Sequence, residues 1–350
     1  MQLWNIVAAN LNAMALQRDA WRGVVLMIRR KQIGRSGLWV SELCVGCMTF
    51  GEPNRGGHTW TLPESQSRPL LRQAYEAGIN FFDTANVYSD GSSEEILGSV
   101  LWDLAPREDI ILASKVFGDA RPERQGLSRR LIFHQLDASL KRLKTDHVDL
   151  YQIHRWDDKT PIEETMEALH DVVKAGKARY VGASTMYAWQ FAKAQEVARA
   201  NGWTRFISMQ NQVNLIYREE EREMNPLCLD QGVGLIPWSP IARGRLARPR
   251  GTITARAQTD NFQKAMYDKT EAQDSVIIDE VQAIAMELGR PMAHVALAWV
   301  RQKLGVAAPI IGFSKPEQLA EAITGLDLTL TQDHIQRLEA PYLPHVPVGF

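Results

Sequence analysis

Short apolar segments recur through this 350-residue chain, and a longer amphipathic segment follows most of them. The spacing between successive apolar segments is roughly 30 residues, which is the length of a β-strand with its crossover helix. Consecutive units of this kind form a parallel sheet whose faces are covered by helices. The repeat therefore predicts an α/β protein with its sheet in the interior.

The strand pattern contains eight segments, and no change in composition divides them into two groups. They are residues 43–46, 80–83, 110–115, 148–154, 180–184, 207–210, 233–238 and 309–312. Because successive crossovers share one hand, eight units close into a barrel. We predict a (β/α)8 TIM barrel with an N-terminal β-hairpin around a turn at residues 34–37. A long Arg-rich loop, residues 244–270, is expected after the seventh strand, and a helix is expected at residues 218–230.

A doubly wound open sheet is the alternative to the barrel. Its dinucleotide site has three glycines in the pattern G-x-G-x-x-G, placed between a strand and a helix. Segment 232–237 lacks the third glycine and lies inside a predicted strand. We therefore favour one barrel domain over residues 27–350. Residues 1–26 precede the hairpin, and we expect them to be an extension that is not part of the fold.

The composition of the chain limits the kinds of molecule that it is expected to bind. Lys and Arg number 40 against 41 Asp and Glu, which gives a net charge of −1 and no field that attracts nucleic acid or an anionic membrane. No apolar run reaches the roughly 18 residues that a membrane helix requires. The three cysteines suit a reducing compartment better than a disulfide framework. We expect a cytoplasmic protein that acts on a small molecule.

Two of the cysteines, Cys44 and Cys47, form a C-x-x-C pair. No further Cys or His stands at metal-ligand spacing, so the sequence predicts no metal site. Residues three apart on a strand point to opposite faces, which also disfavours a disulfide. Packing is the favoured role for both thiols.

Reactive side chains stand where neighbouring strands end, which is the active-site end of a barrel. Asp83, Lys115 and His154 end the second, third and fourth strands, and Tyr88 follows Asp83 by five residues. A tyrosine has a pKa of about 10, and a nearby ammonium lowers it. Asp83 would aim Lys115 at Tyr88, while Tyr88 and His154 polarise a substrate carbonyl. Each residue alone has an ordinary structural explanation, but their convergence favours a site.

These residues lie within segments that resemble the aldo-keto reductase superfamily. The segments are FFDTANVYSDGSSEEILG, LASKVF, YQIHRWD, VGASTM, SMQNQVNLIYREEER, PWSPIARGRL and PIIGFSKPEQLAEAI. Their order and wording are most similar to the bacterial YajO-like group, with potassium-channel beta subunits as more distant relatives. As a set, these motifs are specific.

The resemblance implies NADPH-dependent reduction of aldehydes or ketones, with Tyr88 as the general acid. Asp83, Lys115 and His154 would complete a catalytic tetrad, and NADPH/NADP+ would bind in extended form without a Rossmann fold. The residues expected to bind the cofactor are Gly46, Cys47, Met48, Asp83, Ser184, Gln210, Trp238, Ser239, Pro240, Ile241, Arg243, Gly244, Gly312, Ser314, Lys315, Gln318 and Glu321.

Physical arguments support two of the residue assignments that the resemblance implies. Trp238 ends the seventh strand with a flat apolar face, which suits one side of a nicotinamide. Ser314 and Lys315 precede a helix, so a hydroxyl, an ammonium and helix amides can meet a 2′-phosphate. No side chain supplies a hydride, which is why the chemistry requires a nicotinamide cofactor.

Two other functions remain open at this stage. Members of the YajO-like group are sometimes named for 1-deoxyxylulose 5-phosphate formation, but the sequence carries no thiamine diphosphate signature. A regulatory subunit that senses the cofactor, as the channel beta subunits do, is the non-enzymatic alternative. The intact tetrad favours catalysis.

Overall fold

The protein is described by a computed structural model over residues 28–118, 122–252 and 261–347. Ten strands are found in these residues. The first two, β1 (Arg30–Gln32) and β2 (Trp39–Ser41), form the predicted antiparallel hairpin. The other eight are parallel: β3 (Cys44–Gly46), β4 (Phe81–Asp83), β5 (Ile111–Val116), β6 (Val148–Ile153), β7 (Ala178–Ser184), β8 (Ser208–Gln210), β9 (Gly234–Leu235) and β10 (Ile310–Ile311).

The eight parallel strands run in the order β10-β3-β4-β5-β6-β7-β8-β9. Backbone hydrogen bonds join the two ends of this sheet. The amide of Ile310 donates to the carbonyl of Pro237 at 2.8 Å, and the amide of Ala307 donates to the carbonyl of Leu235 at 2.8 Å. Leu235 also forms a parallel bridge with Val306. The predicted (β/α)8 barrel is therefore confirmed.

Helices cover the outside of the barrel, as the crossover rule requires. In α4, Ile162, Met166 and Leu169 form a buried stripe at helical spacing. No helix of the described ranges is long and apolar enough to cross a bilayer. The helices are α1 (Glu64–Glu76), α2 (Ser92–Leu104), α3 (Arg129–Leu143), α4 (Ile162–Lys174), α5 (Ala188–Asn201), α6 (Met224–Gln231), α7 (Asn261–Tyr267), α8 (Glu271–Leu288), α9 (Met292–Gln302), α10 (Pro316–Thr324) and α11 (Gln332–Glu339).

Two predicted segments differ from the structure. The helix expected at residues 218–230 begins only at Met224, because Pro226 has no amide hydrogen to donate to the Arg222 carbonyl and so belongs in the first turn of a helix. Before it, Glu219–Glu221 form a 3-10 turn, in which Glu219 accepts from the hydroxyl of Tyr342 at 2.7 Å and from the amide of His345 at 2.8 Å. The long loop 244–270 is partly helical, since α7 ends at the buried Tyr267. Its residues 253–260, like the predicted extension at residues 1–26, lie outside the described part of the chain.

The hairpin closes the amino-terminal end of the barrel. Its turn begins at Gly34, whose φ of +55° is unfavourable for residues with a side chain. A Cβ at this position would lie 2.2 Å from the carbonyl oxygen of Gly232, so the turn packs directly on the backbone before β9. Hairpin and barrel residues share one buried apolar cluster, which includes Ile33, Leu38, Val40, Cys44, Phe81, Leu150 and Ile236. This apolar floor leaves the carboxyl ends of the strands for polar chemistry.

Candidate active site

Three of the four predicted catalytic residues meet at the carboxyl ends of β4 and β5. The ammonium of Lys115 donates to Asp83 Oδ2 at 2.6 Å, to the Thr84 carbonyl at 2.9 Å and to the Tyr88 hydroxyl at 3.2 Å. The side chains of Lys115 and Asp83 are 0% and 3% exposed. Tyr88 is half-buried at the mouth of the barrel. A buried ion pair is thus aimed at a phenol that solvent can reach.

Strained backbone surrounds this mouth. Tyr88 begins a 3-10 turn in which Ser89 and Asp90 have φ angles of 45° and 49°. Such angles cost free energy in residues with a side chain, and they concentrate at functional sites. Further positive φ angles in non-glycine residues follow the ends of β5, β7 and β9, at Phe117, Thr185, Ser239, Ala242 and Arg243. The loops that shape the mouth are therefore held away from relaxed geometry by the packing around them.

The charges of the site are set by burial and by the ion pair. Burial lowers the pKa of Lys115, but Asp83 and Tyr88 more than offset this effect, so the net pKa is raised and the ammonium persists. Burial raises the pKa of Tyr88, Lys115 opposes the rise and Asp83 adds to it, so the net pKa is raised. The lowered pKa that the sequence predicts for Tyr88 is therefore wrong. The phenol stays protonated at neutral pH.

His154 follows β6 and lies beside Tyr88. The two rings meet edge to face, with centroids 5.8 Å apart and an interplanar angle of 81°. Burial lowers the pKa of His154 well below its ordinary value, and the cationic groups of Lys115 and Arg155 lower it further. The imidazole is therefore neutral near pH 7 and can donate one hydrogen bond. It is a poor carrier for a proton that must be delivered to a substrate.

A residue that the sequence analysis missed completes the surroundings of Asp83. The side-chain amides of Gln152 and Gln210 each donate to Asp83 Oδ1 at 2.9 Å. Gln152 precedes His154 by two residues on the same strand segment, so the period-2 alternation places both on one face. That alternation is the signal that could have found it.

Several predicted cofactor residues lie next to the tetrad. The Ser184 hydroxyl donates to the Gln210 carbonyl at 2.8 Å, which joins the ends of β7 and β8. The indole of the half-buried Trp238 donates to Thr185 Oγ1 at 3.3 Å. The Ser239 carbonyl accepts from Asn214 Nδ2 at 3.0 Å. Beyond it Pro240 is buried, while Ile241, Arg243 and Gly244 are partly exposed along the turn that follows β9.

Two glycines lie at the ends of the strands between this region and the last loop. Gly46 and Gly312 lie at the ends of the paired strands β3 and β10. A Cβ on Gly46 would lie 2.7 Å from Ile310 Cγ2, and a Cβ on Gly312 would lie 3.3 Å from Thr49 Oγ1. Of the next two predicted residues, Cys47 is fully buried and Met48 is partly exposed. The accessible surface here comes from Gly312 and Met48.

The last loop carries its own cluster of polar groups. Gly312, Ser314 and Lys315 are exposed ahead of α10. The Ser314 amide donates to Gln318 Oε1 at 2.8 Å, which folds the loop over the first turn of the helix. Glu321 lies partly buried one turn further along. No hydrogen bond among the described residues joins this loop to the tetrad, so the predicted site has two separate polar centres.

The cysteines contribute packing. Cys44, Cys47 and Cys228 are free and buried. Burial raises the pKa of the Cys44 and Cys47 thiols well above their ordinary value. Neither supplies a thiolate at neutral pH, which disfavours thiol redox chemistry.

The buried ion pair predicts a measurable effect on stability. Asp83→Asn leaves the Lys115 ammonium without its counter-charge, and we expect the free energy of unfolding to fall by about 3 to 5 kcal/mol. The matched control is Glu95→Gln, which breaks the exposed pair with Arg55, whose side chains are 35% and 46% exposed. That change should cost less than about 1 kcal/mol. Urea denaturation of both variants measures the difference, and equal losses would contradict the role assigned to burial.

Comparison with known proteins shows the family of this chain. The profile of the aldo/keto reductase family matches residues 42–342. The chain is 45% identical over 335 residues to the versiconal hemiacetal acetate reductase of Aspergillus parasiticus, covering 89% of this chain and 96% of the relative. It is 42% identical over 345 residues to an aldo-keto reductase of Alternaria alternata, with 91% and 93% covered.

A protein of Schizosaccharomyces pombe whose name assigns it to the aryl-alcohol dehydrogenases is also similar. It is 43% identical to this chain over 343 residues, which cover 90% of this chain and 96% of the relative. Both the family profile and these full-length relatives span the barrel and its mouth. The chain belongs to the aldo/keto reductase family of oxidoreductases.

Proposed function

We propose that the protein reduces aldehydes or ketones to alcohols by hydride transfer from NADPH, with Tyr88 as the general acid. The observation that carries this proposal is the position of the Lys115 ammonium, which bonds to Asp83 Oδ2 and to the Tyr88 hydroxyl. Membership of the aldo/keto reductase family supports carbonyl reduction. We expect the reaction to take place in the cytoplasm, since all three cysteines are free and buried.

The residues present fit an extended nicotinamide cofactor. Gly312 is exposed after β10 and has no side chain, so a ligand can approach its backbone, while Met48 is partly exposed after β3. Ser314 and Lys315 are exposed and offer a donor and a cation to a 2′-phosphate. Trp238 is half-buried with its indole fixed by Thr185. When bound, the nicotinamide supplies the hydride.

The side chains at the mouth would act on the substrate carbonyl. Tyr88 and the neutral His154 each donate a hydrogen bond to the carbonyl oxygen, which polarises it for attack at carbon. As negative charge develops on that oxygen, Tyr88 transfers its proton and the alcohol forms. The Lys115 ammonium stabilises the resulting phenolate, and the Asp83 carboxylate keeps the ammonium in place. Solvent then returns the proton to Tyr88.

The pKa directions support Tyr88 over His154 as the donor. The pKa of Tyr88 is raised by burial, so the proton is present at neutral pH and is released only when charge builds on the substrate. The pKa of His154 is lowered by burial and by nearby cations, so its imidazole holds no extra proton to give. The two residues therefore have different roles at one carbonyl oxygen.

Aromatic groups on the rim favour an aryl substrate. Trp156 follows β6 and packs edge to face on Trp189, with ring centroids 6.1 Å apart. Trp189, on the first turn of α5, is 60% exposed, and Val87 beside Tyr88 is 40% exposed. Exposed apolar side chains at the end of the barrel that carries Tyr88 are suited to an apolar ring. The name of the similar yeast protein, an aryl-alcohol dehydrogenase, agrees with this proposal.

Two alternatives stay as hypotheses. One is a role in 1-deoxyxylulose 5-phosphate formation, which the resemblance to the bacterial YajO-like group suggests. The other is a regulatory subunit that senses the cofactor. The Lys115 contacts to Asp83 and Tyr88 favour an enzyme over the sensor, because a sensor requires no general acid.

The aryl proposal is tested with a panel of aldehydes. We expect NADPH oxidation with benzaldehydes, and we expect Trp189→Ala to raise their KM by about tenfold because an aromatic contact is lost. The KM of a short aliphatic aldehyde should change little. Trp39→Ala is the control, since Trp39 is 55% exposed on the hairpin at the opposite end of the barrel. Equal effects on aryl and aliphatic substrates would reject the aryl site, and absence of turnover across the panel would favour the sensor.

The assignment of the general acid is tested by Tyr88→Phe. This change keeps the ring and removes the hydroxyl, so the stability of the protein and its affinity for NADPH should change little. Loss of a positioned acid costs about 10² to 10⁴ in rate, and the loss should appear in kcat. Steady-state kinetics together with fluorescence titration of NADPH measure both quantities. A variant that keeps more than about a third of the kcat while binding NADPH normally would contradict the assignment.

Cofactor preference is tested by Lys315→Ala. A charged hydrogen bond to the 2′-phosphate is worth roughly 1.5 to 3 kcal/mol, so the KM for NADPH should rise about tenfold or more. The KM for NADH, which lacks this phosphate, should hardly change. Lys269→Ala is a control for the loss of one positive charge in the 3-10 turn at Asp268–Thr270. Equal changes for NADPH and NADH would show that Lys315 does not contact the phosphate.

A further inference from the structure

Gln152 is a buried polar side chain with no part in the proposed chemistry. It is 0% exposed inside the barrel, and its amide donates to Asp83 Oδ1 at 2.9 Å. The amide of Gln210 donates to the same oxygen at 2.9 Å and to Gln152 Oε1 at 3.2 Å. Both glutamine amides therefore donate to one oxygen of Asp83. Asp83 Oδ2 is left for Lys115 alone.

The barrel geometry explains how three separate strands build this cluster. Asp83, Gln152 and Gln210 come from β4, β6 and β8, and alternate strands of a barrel contribute side chains to one interior layer. Gly182 of β7 lies between β6 and β8 in the sheet. A Cβ there would lie 3.2 Å from Gln152 Cγ and 2.3 Å from Ser208 Oγ. A side chain at Gly182 would therefore crowd Gln152 Cγ and clash with Ser208 Oγ.

We propose that Gln152 is a positioning residue, whose amide works with Gln210 to orient the Asp83 carboxylate and to disperse its negative charge beneath Lys115. This inference rests on the proposed function in one respect, namely that Tyr88 is the group on which Lys115 acts. Gln210 is one of the residues expected to bind the cofactor, whereas the side chain of Gln152 is fully buried and bonds only to Asp83 and Gln210 among the described residues. Gln152 therefore acts through Asp83 and not on the reacting atoms.

The direction of its effect follows from the charges around Tyr88. Three charged groups face the phenol: Lys115 and Arg155 favour the phenolate, and Asp83 disfavours it, while His154 is neutral. Two amide donors on Oδ1 spread the charge of Asp83. Without the Gln152 amide, that charge concentrates on the carboxylate and draws the ammonium more strongly. Both changes weaken the net positive field at Tyr88, so its pKa should rise.

The experiment uses Gln152→Met, which keeps the length of the side chain and removes its hydrogen bonds. Oxidation of an alcohol by NADP+ requires Tyr88 as a phenolate, so its rate increases with pH. We expect the rising limb of this pH profile to move upward by about 0.5 to 1 pH unit. The kcat for carbonyl reduction should fall by about tenfold because the carboxylate loses one charged hydrogen bond. The KM for NADPH should remain within about twofold on the same scale.

A matched control separates positioning from general damage to the fold. Gln195 is also buried and makes two hydrogen bonds, from its Nε2 to the Phe206 carbonyl at 3.1 Å and from the Phe206 amide to its Oε1 at 2.9 Å. Gln195→Met should lower stability while leaving the pH profile unchanged. Gln152→Glu keeps the size of the side chain but places a second carboxylate beside Asp83. Gln152→Glu should move the rising limb of the pH profile to still higher pH. It is the variant to be measured if Gln152→Met does not fold.

A second measurement is independent of turnover. Tyrosine labelled with ¹³C at Cζ reports the phenolate by NMR, and Tyr88→Phe assigns the resonance among the eight tyrosines. The onset of the Tyr88 titration should occur at higher pH in Gln152→Met than in the unaltered protein. If the unaltered protein lacks turnover, the proposed function fails while this titration still decides the role of Gln152. The inference would be overturned if neither the pH profile nor the Tyr88 titration changed in Gln152→Met. It would also be overturned if both changed equally in Gln195→Met.

Discussion

The ion pair between Lys115 and Asp83 is the interaction on which the rest of the site depends. Two charges have been removed from water inside the barrel, and such burial is tolerated only where each charge is paired and further hydrogen-bonded. Lys115 meets this requirement with Asp83 Oδ2, the Thr84 carbonyl and the Tyr88 hydroxyl. Asp83 meets it with two glutamine amides on its other oxygen. Tyr88 is therefore held at the mouth as the last member of a chain of contacts that begins in the interior.

This arrangement divides the barrel into two halves of different character. The hairpin and the lower strand residues fill one end with apolar side chains, including Ile33, Val40 and Phe81. The other end contains the buried polar layer and the strained loops that begin at Ser89, Thr185 and Ser239. Barrels commonly use one end for stability and the other for chemistry. The strained backbone at the mouth costs free energy, and the close packing of the apolar half offsets that cost.

Much of this was accessible from the sequence, for identifiable reasons. The regular alternation of strands and helices predicts the barrel. The positions of Asp83 and Lys115 at strand ends, with Tyr88 shortly after Asp83, predict their convergence. Three features were not predictable in the same way. The 3-10 turn before α6 is bonded through Glu219 to Tyr342 and His345, which are distant in sequence. The pKa direction of Tyr88 depends on how far burial outweighs one ammonium. Gln152 has no motif of its own, because its role exists only when three strands are brought together.

The neutral imidazole of His154 and the protonated phenol of Tyr88 have a consequence for the direction of the reaction. Under the mechanism proposed above, a site at rest with its proton already in place would begin reducing a carbonyl as soon as the substrate arrives. The reverse reaction must wait until that proton has been lost, and burial makes this state rare at neutral pH. Under the proposed mechanism, the pocket therefore favours reduction over oxidation at neutral pH. Acidification of the surroundings would strengthen this asymmetry, because it depletes the deprotonated form still further.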